Sequence, residues 1–211
     1  MGQLYMTREC KNGVLKVVHG DLAKQSADVI VSPADNRLSG REGLDAEIHK
    51  VAGEGLLEVC REIASSQRVL NQPPCQVGTA VKTKAFDLSA KHLIHVVGPD
   101  CRRPKQDENR RELLPLAYNS LFSELSKMKG VKTVVSPPIS MGVFAYPHRE
   151  GARMTLEILL DWLDDPDRNS GIDEFVLIVK EKNFISNMRT VYRENEDQLP
   201  GVDTTPIPGR R

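Results

Sequence analysis

The sequence predicts an α/β fold, three layers α/β/α with a central mixed, mainly parallel sheet carrying helices on both faces. Three observations predict it. Short β-branched runs alternate with longer segments of helical period, the pattern of strand–helix–strand units. Two strand candidates lead into polar, glycine-containing loops, the place where ligands sit in such sheets. Hydrophobic residues are 39% and charged residues 27% of the 211 positions, a balance that suits one globular domain with a sizeable core.

The elements follow in order. Val14 to Val18 (VLKVV) reads as a strand closed by Gly20-Asp21, and Ala27 to Val31 (ADVIV) as a buried strand. Ser32 to Gly43 is a polar loop. Leu44, Ile48, Val51, Ala52, Leu56, Leu57 and Cys60 then fall at helical spacing and predict one amphipathic helix. A proline-containing linker, Asn71 to Cys75, separates it from two further strands, Thr79–Thr83 and His92–Val97. Leu113–Met128 is helical by period, Val131–Val135 is a strand, and Pro137–Pro147 is a second loop. A helix over Arg149–Leu163, a strand over Glu174–Val179 and a helix over Ile185–Tyr192 complete the domain, set at residues 1–193. The segment 194–211, with Pro200, Pro206 and Pro208 and little apolar content, is expected to be a disordered tail.

Composition also excludes functions. Lys plus Arg equals Asp plus Glu at 29 each, so the chain lacks the basic field that binding a nucleic-acid backbone needs. The four cysteines, Cys10, Cys60, Cys75 and Cys101, form no CxxC pair and no Cys/His group with zinc spacing, which predicts reduced thiols and no metal site. The N-terminal MGQLYMTREC has no apolar core of a signal peptide, and no apolar run reaches membrane-spanning length. An intracellular, cytoplasmic monomer is expected.

Three features carry chemistry. Asp21, at a strand end, can accept a hydrogen bond from an exocyclic amine or cap the turn that follows, and capping is the commoner role. Ser39-Gly40-Arg41-Glu42-Gly43 leads into Asp45 at a helix start, where glycines allow close approach and free N–H groups face a phosphate. An acidic first turn that favours the helix dipole explains Asp45 equally well. Ser140 to Pro147 (SMGVFAYP) is a second close-approach loop, which beside the first makes a clamp for a diphosphate. Phe144 and Tyr146 either cover a sugar or pack in the core. His49 and His95, on a helix stripe and in a strand, read as structural, and Lys82 and Lys84 as a solvated strand edge.

Taken together, these segments resemble the macro domain family. Gly20-Asp21-Leu22, then Ala27 to Asp35 (ADVIVSPAD), then Gly43 to Gly53 (GLDAEIHKVAG) are similar to the family's N-terminal half. Downstream, His92 to Pro99 (HLIHVVGP) and Pro138 to Pro147 (PISMGVFAYP) are similar to its later strand and loop, so that the resemblance covers about residues 14 to 192. It implies a site for ADP-ribose. Asp21, with Leu22, would meet the adenine amino group, and Gly43, Leu44 and Asp45 would form the first phosphate and ribose loop. Ser140, Met141, Gly142, Val143 and Phe144 would form the second, with Phe144 over the distal ribose and Phe184 as an adenine platform.

The departures from the pattern bear on activity. The family's NAAN stands here as Ser32-Pro33-Ala34-Asp35, and its glycine run is interrupted by Arg41 and Glu42. An ionised Asp35 still accepts bonds from ribose hydroxyls. The resemblance then implies an ADP-ribosyl-protein hydrolase with Asp45 as the acid/base or water-positioning group and Asp35 fixing the ribose. Two neighbouring carboxylates raise one pKa, which suits proton transfer, and their charge suits an arginine-linked substrate. The alternative is a non-catalytic reader of ADP-ribosylated proteins, which the missing Asn favours. ADP-ribose and ADP-ribosylated protein are the expected partners, with no metal and no further cofactor.

Overall fold

Seven strands form one sheet in the order β1-β2-β7-β6-β3-β5-β4. The structure is a computed structural model and describes residues 2–68, 75–167 and 171–195. In chain order the strands are β1 (Gln3–Cys10), β2 (Gly13–His19), β3 (Ala27–Pro33), β4 (Ala80–Lys84), β5 (Ala90–Val96), β6 (Thr133–Ser136) and β7 (Glu174–Val179). The helices are α1 (Gly43–Ala52), α2 (Glu54–Arg68), α3 (Pro104–Glu108), α4 (Arg110–Ser126), α5 (His148–Asp164) and α6 (Lys182–Glu194). The run β2-β7-β6-β3-β5 is parallel, and the edge strands β1 and β4 pair antiparallel with β2 and β5.

Strand alternation explains the layers. Val29 and Val31 of β3 face one way, into a core shared with α4, α5 and α6. Ile30 between them faces the other way, toward α1 and α2 through Ile48, Ala52, Leu56 and Cys60. Both faces are buried, so the inner parallel strands read as continuous apolar runs. That continuity is why β3 and β7 are visible in the sequence.

Three elements differ from the sequence reading. β1 was not anticipated: its two most buried residues, Tyr5 and Met6, are neighbours, and a register shift between Leu4 and Met6 breaks the two-residue alternation that marks a strand. The single helix expected from Leu44 to Cys60 is two, because Gly53 sits at φ 83° and ends α1. The short helix α3 precedes α4, with Pro104 in its first turn. The linker expected at 71–75 lies outside the described residues except for Cys75. The expected tail lies outside them beyond Asn195, and Glu194, where it was set to begin, closes α6.

Candidate functional site

The carboxyl ends of the five parallel strands open on one side of the sheet, and the segments leaving them enclose a cavity of about 650 Å³. Its wall comes from Gly20 and Leu22 after β2, residues 33–45 after β3, residues 96–106 at and after β5, residues 137–144 after β6 and residues 178–184 at the end of β7. That volume suits a nucleotide-sized molecule.

Both loops singled out in the sequence line this cavity. Gly43 opens α1 at φ 56°, a left-handed conformation that only glycine takes without strain. A Cβ on it would stand 2.6 Å from Cγ2 of Val143, so the first loop touches the second across the cavity mouth. The second loop turns sharply through Ser140 at φ 67° and Ala145 at φ 55°, closed by Tyr146 N–H donating to the Ser140 carbonyl at 3.1 Å. Ser140 lines the cavity and is buried, and its hydroxyl, packed against Gly98, has no hydrogen-bond partner among the described residues.

Asp45 sits in the first turn of α1, 4% exposed, on the cavity wall. The Ser32 hydroxyl donates to its Oδ1 at 2.5 Å, and the Gly40 backbone supplies a further hydrogen bond. Burial pushes its carboxyl up to about 6, against the lowering effect of Ser32, with Asp35 adding a smaller upward push. The sequence argument credited the paired carboxylates with this effect; loss of water is the larger cause. Asp35 also borders the cavity, but its own loop engages its carboxylate. The N–H groups of Arg37 and Ser39 donate to Oδ1 at 2.7 and 3.2 Å, and the Ser39 hydroxyl donates to Oδ2.

The other predicted residues separate. Leu22, Leu44, Met141, Gly142, Val143, Phe144 and Phe184 all line the cavity. Phe184 is 1% exposed, its ring edge-on to His148. Phe144 is half-buried and carries the Arg102 guanidinium 5.5 Å from its ring centre. Tyr146 belongs to the core, where its hydroxyl donates to Glu150. Asp21 is absent from the cavity wall, although Gly20 and Leu22 on either side belong to it. It caps the short 3-10 turn Leu22–Lys24 by accepting from Ala23 N–H at 3.2 Å, and it pairs with Lys24 at 3.0 Å.

Sequence reasoning missed the segment after β5. Asp100 is buried and holds Arg102 in a two-pronged contact at 2.8 and 2.9 Å. Arg102 then reaches Glu42 on the first loop at 3.3 Å. Asp100, Arg102, Arg103 and Gln106 all line the cavity. The signal lay in Gly98-Pro99 directly after the β5 strand, where Gly98 packs so tightly that a Cβ would meet the Ser140 hydroxyl at 2.1 Å. Also missed was a convergence behind Asp45. His49 on α1, Cys60 on α2 and His95 on β5 place one donor atom each within 4.8 Å of one another, a cluster that spacing along the chain could not reveal. Burial lowers the pKa of both imidazoles, that of His95 to about 3.

Known proteins place this arrangement. A family model described as Macro domain matches residues 31–155. An O-acetyl-ADP-ribose deacetylase of Cronobacter sakazakii is 35% identical over 192 residues, spanning 90% of this chain and 99% of that protein. A macrodomain of Oceanobacillus iheyensis solved with ADP superposes with a TM-score of 0.79 at 26% identity, over 93% of this chain and 99% of that one. A Trypanosoma brucei macrodomain in complex with ADP-ribose gives a TM-score of 0.68 at 26% identity, over 83% of this chain and 68% of that one.

Proposed function

The chain belongs to the macro domain family, and from that premise we propose that it binds ADP-ribose in the cavity and hydrolyses ester-linked derivatives of it. The observation that carries the reading is the clamp: two glycine-bearing loops meet at Gly43 and Val143 over a wall that holds buried Asp45. Backbone N–H groups of the α1 start and of the 140–145 turn suit the diphosphate. Leu22 and Phe184 offer the apolar surface for adenine, with Asp21 reaching its amine from the rim. Phe144 covers the distal ribose, and Asp45 orients the attacking water toward the bond to that sugar. In an ester, water adds to the acyl carbon, the bond from that carbon to the ribose oxygen breaks, and the proton of the water ends on the ribose hydroxyl. We take residues 1–193 as the unit that does this.

One observation supports an ester linkage. Several relatives are named O-acetyl-ADP-ribose deacetylases. Esters are therefore favoured over the arginine linkage that the two aspartates suggested. The second reading, a non-catalytic reader, draws on Asp35, whose carboxylate is engaged by its own loop.

The test offers the protein O-acetyl-ADP-ribose and proteins carrying ADP-ribose on Asp/Glu, Arg and Ser, and measures the product released. Turnover of the esters with at least tenfold less from arginine is expected. Release from none of them, with ADP-ribose still bound, would establish the reader.

A further inference from the structure

The buried cluster behind the cavity has a composition that the hydrolase reading does not use. Cys60 Sγ lies 4.0 Å from His95 Nε2, and Thr83 Oγ1 lies 3.2 Å from the same nitrogen. Both ring nitrogens of His49, and Nδ1 of His95, are buried without a hydrogen-bond partner among the described residues. His49 is 8% and His95 0% exposed. An imidazole taken out of water with neither nitrogen satisfied is costly, and such orphaned donors and acceptors call for a partner. Beside them lies Asp45 Oδ1, 3.7 Å from His49 Nε2.

We propose that His49, Cys60 and His95 bind a thiophilic divalent cation of the Zn²⁺ class, with the Asp45 carboxylate as fourth ligand. Two neutral imidazoles, a thiolate and a carboxylate carry two negative charges, which a dication neutralises. A nitrogen–sulfur set of this kind suits zinc or cobalt and not magnesium or calcium. Metal–ligand bonds of about 2.0–2.3 Å place tetrahedral ligands about 3.5 Å apart. The three ligands His49, Cys60 and His95, within 4.8 Å at their widest, have to close by about 1 Å, within the reach of side-chain rotation, and Asp45, 3.7 Å from His49 Nε2, has to swing in from the edge of the group. As the sulfur–metal bond forms, the thiol S–H bond breaks and the proton leaves to solvent. The cover over His49 is the backbone of Gly40, where a Cβ would stand 2.4 Å from the ring. Movement of that loop opens the route from the cavity. The ligands come from α1, α2 and β5, so the ion would fasten two helices to the sheet.

On the hydrolase reading the ion would also withdraw Asp45 from the cavity. This last consequence rests on the proposed function; the binding itself does not.

Chelator-treated full-length protein is titrated with Co²⁺. The expected result is one ion per chain, with visible tetrahedral cobalt absorption and a thiolate-to-cobalt charge-transfer band that Zn²⁺ abolishes. Cys60→Ser should remove that band and weaken binding at least tenfold, and Cys75→Ser should change neither. His49→Gln, whose side chain keeps the size of the site, should weaken binding similarly and serves if Cys60→Ser does not fold. No band in the wild type, or a band that survives in folded Cys60→Ser or His49→Gln, would overturn the site. These signals need no turnover, so a protein that proves inactive on every ester leaves the metal result standing. Turnover unmoved by saturating Zn²⁺ would remove Asp45 from the ligand set.

Discussion

Asp21 and Asp45 are both acidic residues at the start of a helical turn, yet their surroundings differ. Asp21 keeps a third of its side chain in solvent and serves as a cap, whereas Asp45 is buried and held by Ser32. Asn caps as well as Asp does, so Asp21→Asn separates the two roles open to residue 21. If its carboxylate meets the adenine amine, calorimetry should show ADP-ribose affinity lower by about 10- to 100-fold, from the loss of a charged hydrogen bond of about 1.5–3 kcal/mol. Thermal stability should stay unchanged, and an unaltered dissociation constant would leave Asp21 as a cap alone. Ser32→Ala removes the donor to Asp45 without touching the cavity wall; turnover should fall while ADP-ribose affinity stays within about threefold. The sequence marked Asp45 and Asp21 but not their difference. Burial and the Ser32 contact arise from chain segments that meet only in the fold.

At the scale of elements, the site is two loops and the helix that one of them starts. Gly43→Ala places a Cβ against Val143 and puts an alanine at φ 56°, a conformation costing about 1–2 kcal/mol. ADP-ribose affinity should drop at least tenfold, and Val143→Ala in the same chain should recover part of it by making room. Wild-type affinity in the single variant would show that the loops do not act as a clamp. The loops were legible because glycine, proline and polar residues cluster between apolar runs. The split between α1 and α2 was not, because Leu56 and Cys60 continue the apolar stripe of α1 past Gly53. A stripe shows which face is buried, and it does not report a change of helix axis. The Asp100–Arg102–Glu42 link was hidden for another reason: its partners lie 60 residues apart, and no local pattern joins them.

For the whole molecule, the sheet order decides function by gathering five strand ends at one cavity. A mixed, mainly parallel sheet was legible from the strand–helix alternation, and the exposed Lys82 and Lys84 marked β4 as an edge; the edge strand β1 was not, because its bulge breaks the two-residue alternation. Two carboxylates tie elements together, one between strands and one between helices α4 and α5. Asp28 at the start of β3 accepts from Lys132 N–H at 2.7 Å and Thr133 N–H at 3.0 Å beside β6 and pairs with Lys91, and these hold its carboxyl well below the usual range. Glu150 on α5 is held at about 2 by Arg111, with Arg110 also contributing. Both folded pKa values are depressed, so this stability is present above the unfolded carboxylate values and is lost as pH falls through the folded ones. Resistance to urea unfolding should therefore fall as pH drops from about 4.5 to about 2, and Glu150→Gln should flatten that decline. An unchanged slope would show that Glu150 is not one of the groups responsible. The central claim, an ester hydrolase whose Asp45 acts on the bound ADP-ribosyl group, is tested most directly by pairing calorimetry with acetate release from O-acetyl-ADP-ribose in wild type and Asp45→Ala. The prediction is that the variant binds ADP-ribose within about threefold of wild type while turnover falls by about 10²- to 10⁴-fold. Full turnover by Asp45→Ala, or no binding of ADP-ribose by folded wild type, would contradict it.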